Sequence, residues 1–434
     1  MKLSNKVKIF YGIGVSYAIV DQIFAQWIIY FYLPPESSGL SPVLTPTLLA
    51  IALSISRMVD VVTDPLVGYF SDRAKTRFGR RIPFIAVGII PLVLATVAFF
   101  YPPQSNEMIT FLYLTVVGGT FFTFYTVVGG PYNSLIPEIG NTSEERLSLS
   151  TWQSVFRLIY SAIAMILPGI LIKYYGDGDT VKGIRVMVVV LCLITVLGAI
   201  FTIFGVDEKK YSEGKNSKLN FKSTIKIVMK DKSFICYLLG ELFFFIGFNT
   251  LRTVTNYYVE DIMGYGKGGI TIATGLLFGM SALFFYPTVK VSKKYGYRKI
   301  MLLNISFLIF MTVALFFVGK IIPAKGGFVI FGLIGAAIAG GAFIFPPAML
   351  SDIGTRISKD SKEDIQGICF GIQGFFLKTA FLISVSVVPF LLTYSNNDLV
   401  GKKGIYLTTI FSAVSFVISF LFYYNYKEVK LNEK

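Results

Sequence analysis

The sequence predicts an all-α membrane protein of twelve transmembrane helices arranged as two pseudo-symmetric six-helix bundles. Three observations carry this expectation. Of 434 residues, 54% are hydrophobic and only 15% charged, and the mean hydropathy is +0.66, which belongs to a polytopic membrane chain and not to a water-soluble domain. Twelve apolar segments are long enough to span a bilayer. The two halves of the chain also echo each other at matching offsets, as internal repeats of a transport bundle do.

In order, the segments run over about 8–33, 43–71, 82–101, 108–135, 149–174, 184–206, 233–260, 268–290, 300–321, 326–352, 366–395 and 403–425. The first follows a basic N-terminus, but its apolar run is long and contains Asp21, so it reads as a membrane helix and not as a cleaved signal. The loop 72–81 carries Arg73, Lys75, Arg77, Arg80 and Arg81, whereas loops 34–42 and 102–107 have no Lys or Arg. This positive-inside bias is expected to put both termini in the cytoplasm, and the cell inner (plasma) membrane is the expected location. The lysine-rich stretch 207–232 is the linker between an N-terminal bundle (1–206) and a C-terminal bundle (233–434). Within it, Phe221, Ile225 and Val228 share a face beside a stripe of Lys222, Lys226 and Lys230, so a short interfacial helix competes with a solvated linker there.

Gly68-Tyr69-Phe70-Ser71-Asp72-Arg73 follows the second segment, and Pro287-Thr288-Val289-Lys290-Val291-Ser292 ends the eighth. Ser134-Leu135-Ile136-Pro137-Glu138-Ile139-Gly140 closes the fourth, and Ala348-Met349-Leu350-Ser351-Asp352-Ile353-Gly354 the tenth. Gly129-Gly130-Pro131 and Pro346-Pro347 are expected to break those same two helices.

The net charge of +15 follows mainly from the basic loops, so nucleic acid is not an expected partner. Cys192, Cys236 and Cys369 lie in apolar segments without metal-ligand spacing, and the chain has no histidine. Histidine relays, histidine metal sites and Ser-His-Asp catalysis are therefore excluded. There is also no nucleophile–base pair or phosphate loop, so an enzyme is not expected.

The chemistry concentrates in the second segment. At about 100° per residue, Arg57, Asp60, Asp64 and Gly68 fall within about 80° of one helical face. Ionisable groups at membrane depth face a protein interior or a water-filled cavity. Two carboxylates a turn apart must share a proton or a cation, and Thr63 could add an oxygen for Na⁺. A purely structural Arg57–Asp60 pair is the competing reading, but it leaves Asp64 without a role. Further charges are Asp21, Arg157, Glu241, Arg252 and Lys378. Asp21 lies roughly 20 Å along its helix from the cytoplasmic start, Asp60 and Lys378 roughly 18 Å, and Asp64 and Arg157 roughly 12 Å. Lys378 follows Gly367, Gly371 and Gly374, a stripe suited to close helix contact. Asn249, Arg252 and Asn256 share a face of the seventh segment, and Glu241 has no evident partner.

Taken together, Tyr11-Gly12-Ile13-Gly14, Arg57-x-x-Asp60-x-x-x-Asp64-Pro65-x-x-Gly68, Ser71-Asp72-Arg73, Arg77-x-Gly79-Arg80, Pro131-x-x-Ser134-Leu135-Ile136-Pro137 and Gln373-x-x-x-x-Lys378 resemble the glycoside–pentoside–hexuronide:cation symporter family. That family belongs to the major facilitator superfamily, and the resemblance spans the chain. It implies a major facilitator fold and a Na⁺, Li⁺ or H⁺ site at Asp60, Asp64, Thr63 and Thr126, with Lys378 modulating the coupling. It also implies a cytoplasmic gate drawn from Asp72, Arg73, Arg77, Arg80, Arg146 and Asp352. Where melibiose-carrying members hold their sugar-binding acids, this chain has Ile19, with Asp21 two residues on, and Gly129. Asn133 and Ser154 replace the aromatic and arginine partners, with Arg157 three residues after Ser154. The cation half of the pattern matches and the sugar half departs.

The expected function is cation-coupled symport of a sugar or glycoside by alternating access. Asp21, Arg57, Asn133, Arg157, Asn249, Arg252, Phe343, Gln373 and Lys378 are the candidate substrate residues. No cofactor beyond the coupling ion and no partners beyond a small-molecule substrate and membrane lipids are expected, and the chain should act as a monomer. A carrier of a lipid-like amphiphile and a non-transporting membrane sensor are the alternatives.

Overall fold

A computed structural model describes residues 3–35, 38, 40–74, 76–103, 106–140, 143–211, 228–338, 345–361, 366–394 and 399–427. The chain divides into two compact units, Met1–Pro34 with Leu40–Asn216, and Pro35–Gly39 with Ser217–Lys434. Among the described residues both are built of helices. Ten are long and apolar enough to cross a membrane, and Ile82–Ala98 and Gly326–Ile338 are shorter apolar helices. The twelve-helix expectation is borne out.

The first unit begins with α1 (Asn5–Ile13), a 3₁₀ turn over Gly14–Tyr17 and α2 (Ala18–Tyr32), which together form one span. It continues through α3 (Pro46–Arg73), α4 (Ile82–Ala98), α5 (Glu107–Ile139), α6 (Ser143–Tyr175) and α7 (Thr180–Gly205), and closes with the short α8 (Glu208–Tyr211). Helices dominate because lipid offers the backbone no hydrogen-bond partners. Hydroxyls on these helices turn back onto their own carbonyls, as Ser56 does to Ala52 at 2.7 Å and Thr96 to Leu92 at 2.8 Å. α5 packs along both α3 and α4, and α6 along α1 and α7.

The second unit comprises α9 (Lys232–Tyr257), α10 (Lys267–Tyr295), α11 (Tyr297–Phe317), α12 (Gly326–Ile338), α13 (Phe345–Ser361), α14 (Gln366–Leu392) and α15 (Lys402–Asn425). A π-helical turn, Tyr258–Ile262, extends α9. Its Met263 amide bonds Tyr258 O at 3.0 Å, and Glu260 there pairs with Lys267 at 2.5 Å. α9 packs on α14 and α15, and α10 on α12. The last pair crosses so closely that a Cβ on Gly335 would collide with the Leu277 carbonyl.

Two details differ from expectation. α5 runs unbroken through Gly129-Gly130-Pro131. Gly129 serves side-chain packing instead, since a Cβ there would stand 3.2 Å from the Tyr17 ring. At the glycines before Lys378, a Cβ on Gly371 or Gly374 would meet no described atom within 4 Å. Finally, the linker's first residues are folded into the first unit: Glu208 is 1% exposed and Tyr211 7%. The interfacial helix expected over 219–230 lies almost wholly outside the described residues.

Candidate functional site

The first unit gathers its charges around α3. Arg57 is 4% exposed and Asp60 1%. Arg57 lies 3.6 Å from Asp60 on its own helix and 3.6 Å from Asp21 on α2. Its guanidinium stacks over Phe122 at 4.1 Å and Phe24 at 5.3 Å. Arg57, expected among the substrate residues, is thus clamped between two carboxylates and two rings. A guanidinium suits this place because it is planar, weakly hydrated and stacks on aromatic faces.

Thr126 of α5 completes the cluster. Its hydroxyl lies 2.8 Å from Asp60 Oδ1 and 3.1 Å from Asp64 Oδ1. A hydroxyl has one hydrogen, so it cannot satisfy both carboxylates together. When Asp60 takes that hydrogen, Asp64 faces the lone pairs of Thr126, so the three oxygens converge as a cation site would have them. Asp64 is exposed while Asp60 is buried. Thr63 is half-buried, and its hydroxyl donates to Asp60 O at 3.2 Å.

Beside this cluster lies an aromatic and polar group that sequence reasoning saw only in part, with Tyr11, Tyr17 and Tyr132 buried in it. Tyr17 contacts Tyr125 and Tyr132 edge-on at 5.5 and 5.4 Å, and Tyr132 stacks on Tyr11 at 4.7 Å. The Tyr132 hydroxyl donates to Tyr11 O at 2.7 Å. Gln153 donates to Asn133 at 2.8 Å, and Arg157 lies beside the Tyr17 hydroxyl. Asn133 and Arg157 are exposed. Tyr17 stands one turn before Asp21 on the same helical face, and that spacing was the signal available.

At the helix end nearest loop 74–81, Arg80 pairs with Glu138 through Nε at 2.9 Å and through its terminal nitrogen. Arg77 covers the Phe78 ring at 4.6 Å. Glu208 accepts from the backbone N–H groups of Arg80, Arg81 and Ile82 at 2.7, 2.8 and 3.1 Å, capping the N-terminus of α4. Gly79 has φ +107°, and a Cβ there would strike Glu208. The side chains of Asp72, Arg73 and Arg146 lie outside what is described, as does Phe343.

In the second unit Asn249, Arg252 and Asn256 are all buried, and Arg252 stacks over Phe381 at 5.6 Å. Gln373 of α14 donates to the Tyr237 hydroxyl at 2.6 Å. Lys378 and Asp352 are half-buried.

Ionisable side chains buried within membrane spans face a protein interior or a water-filled cavity. Residues 10–427 match the MFS/sugar transport protein family, and the chain belongs to that family. It is a multi-pass membrane protein. It is 25% identical over 414 residues to the putative glycoside/cation symporter YagG of Escherichia coli K12, covering 91% of this chain and 84% of that one. It is 23% identical over 301 residues to the isoprimeverose transporter of Lactiplantibacillus pentosus, covering 68% of this chain but under two thirds of the relative, 59%. The solved D-xylose-proton symporter superposes with a TM-score of 0.71 at 14% identity, covering 98% and 97% of the two chains. That likeness establishes the major facilitator fold.

Proposed function

We propose that the protein is a secondary active transporter that couples entry of a cation to uptake of a sugar or glycoside by alternating access. The observation that carries this reading is the single Thr126 hydroxyl set between Asp60 and Asp64. Two carboxylates and a hydroxyl converging there supply the oxygens a small cation or a shared proton needs. Na⁺ is the preferred ion, with Thr63 adding an oxygen, and Li⁺ and H⁺ are the alternatives. The names of the relatives support a sugar or glycoside as cargo. Asp21, Asn133 and Arg157, with the half-buried Tyr125 beside them, form the sugar-facing surface of the first unit, since aromatic faces with a few polar groups suit such ligands. Asn249, Arg252, Phe343, Gln373 and Lys378 are the contribution of the second. Asp72, Arg73, Arg77, Arg80, Arg146 and Asp352 form the gate. The protein works as a monomer in the plasma membrane with both termini in the cytoplasm.

Coupling requires ion and sugar to raise each other's affinity, a reciprocal free energy of about 1–3 kcal/mol. The test is the melting temperature of the detergent-purified protein with glycosides, pentosides and hexuronides, with and without Na⁺ at constant ionic strength. A stabilising sugar whose shift grows with Na⁺, and an Asp60→Asn variant that loses the Na⁺ effect, are expected. A variant that keeps the full Na⁺ effect sinks the site assignment.

A further inference from the structure

Glu241 stands apart from every group used above. It lies in mid-α9 and is 1% exposed. Its Oε1 accepts from the Tyr423 hydroxyl of α15 at 2.8 Å. Its Oε2 has no hydrogen-bond partner among the described residues, and no described lysine or arginine pairs with it. The Gln373 amide of α14 lies beside the same carboxyl. Gln373 in turn donates to Tyr237, whose hydroxyl donates to Pro346 O at 2.9 Å.

The helices packed on α9 present few charges here. α15 brings Tyr423, with Tyr426 just past its end, and α14 brings Gln373 with Cys369 and Lys378 at greater distance along the helix. α9 itself adds Cys236 and Tyr237. Arg356 of α13 is engaged at 2.6 Å by Asp231, before the start of α9. A carboxylate removed from water, with one neutral donor and no counter-ion, is far costlier than the neutral acid.

We propose that Glu241 is a proton-binding site of the second unit, separate from the carboxylate pair of α3, with its proton on Oε2. The proton comes from water and returns to water, so no other reactant is needed. Tyr423 holds Oε1, and the Gln373 amide presents an N–H to the same carboxyl. Losing the proton leaves both oxygens as acceptors, so the carboxylate draws on the Gln373 N–H groups in competition with Tyr237. Gln373 is a candidate sugar residue. The proton therefore acts on the binding surface of this unit without passing through Asp60 and Asp64.

The experiment is infrared spectroscopy of the detergent-purified full chain at pH 7, comparing wild type with Glu241→Gln. An acid carbonyl band present in the wild type and absent from the variant is expected, fading in alkaline buffer. Tyr423→Phe, which removes a donor to Oε1, should move that band to higher frequency. Melting curves give a second readout. Only the wild type can become charged at this position, so its melting temperature should fall below that of Glu241→Gln at alkaline pH and match it in acid. A difference spectrum with carboxylate bands alone at pH 7, or melting curves parallel across pH, overturns the proposal. If Glu241→Gln does not fold, an acid band unmoved by Tyr423→Phe does the same. Neither readout uses Na⁺ or cargo, so failure here is distinct from failure of the symport reading.

Discussion

Thr126, Asp60 and Arg57 together explain how α3 keeps charges inside an apolar bundle. Arg57 neutralises Asp21 and Asp60 at 3.6 Å each, and Thr126 ties the pair on α3 to α5. Thr126→Val keeps the shape and removes the hydroxyl. It should weaken Na⁺ binding about tenfold, a loss of ~1.4 kcal/mol, read as a rightward shift in the Na⁺ concentration needed to raise the melting temperature. Arg57→Leu leaves Asp60 buried without its counter-charge and should destabilise the protein by about 3–5 kcal/mol, read in chemical denaturation. The spacing of Arg57, Asp60 and Asp64 was legible because all three share one helix. The Asp21 pairing and the Tyr17–Tyr125–Tyr132 cluster were not, because they depend on which faces of α2 and α5 meet.

Among the elements, α4 and α8 are the most informative. α4 begins with Ile82-Pro83 and has no side-chain cap of its own, so its first amides turn to Glu208, more than a hundred residues away in sequence. Glu208→Ala should cost about 2 kcal/mol, because three amides lose an ionised acceptor. Glu208→Gln should recover part of this, and melting of the two variants side by side checks the order. Helix positions followed from apolar length, a local property. The role of Glu208 did not, since Asp207-Glu208-Lys209-Lys210 reads as the start of a polar linker until its partner amides are known.

At the scale of the whole molecule, loop charge makes the clearest prediction. In intact cells a membrane-impermeant maleimide should label Ser41→Cys and spare Thr76→Cys, in a background with Cys192, Cys236 and Cys369 replaced; the reverse pattern would invert the orientation. The repeat of six helices was legible from the echoes around Gly68 and Pro287 and around Ser134 and Ala348. Its limits were not. The first helix of the first unit is wound tight by its 3₁₀ turn at Gly14–Tyr17, whereas the first helix of the second unit is wound loose by its π turn at Tyr258–Ile262. One deviation advances side chains around the axis and the other holds them back, by a good part of the roughly 100° that separates neighbouring residues. Counting residues from one repeat to the other therefore loses phase within these two helices. The halves are related as scaffolds but not as sets of side chains, which leaves each free to hold an ionisable group for which the other has no counterpart.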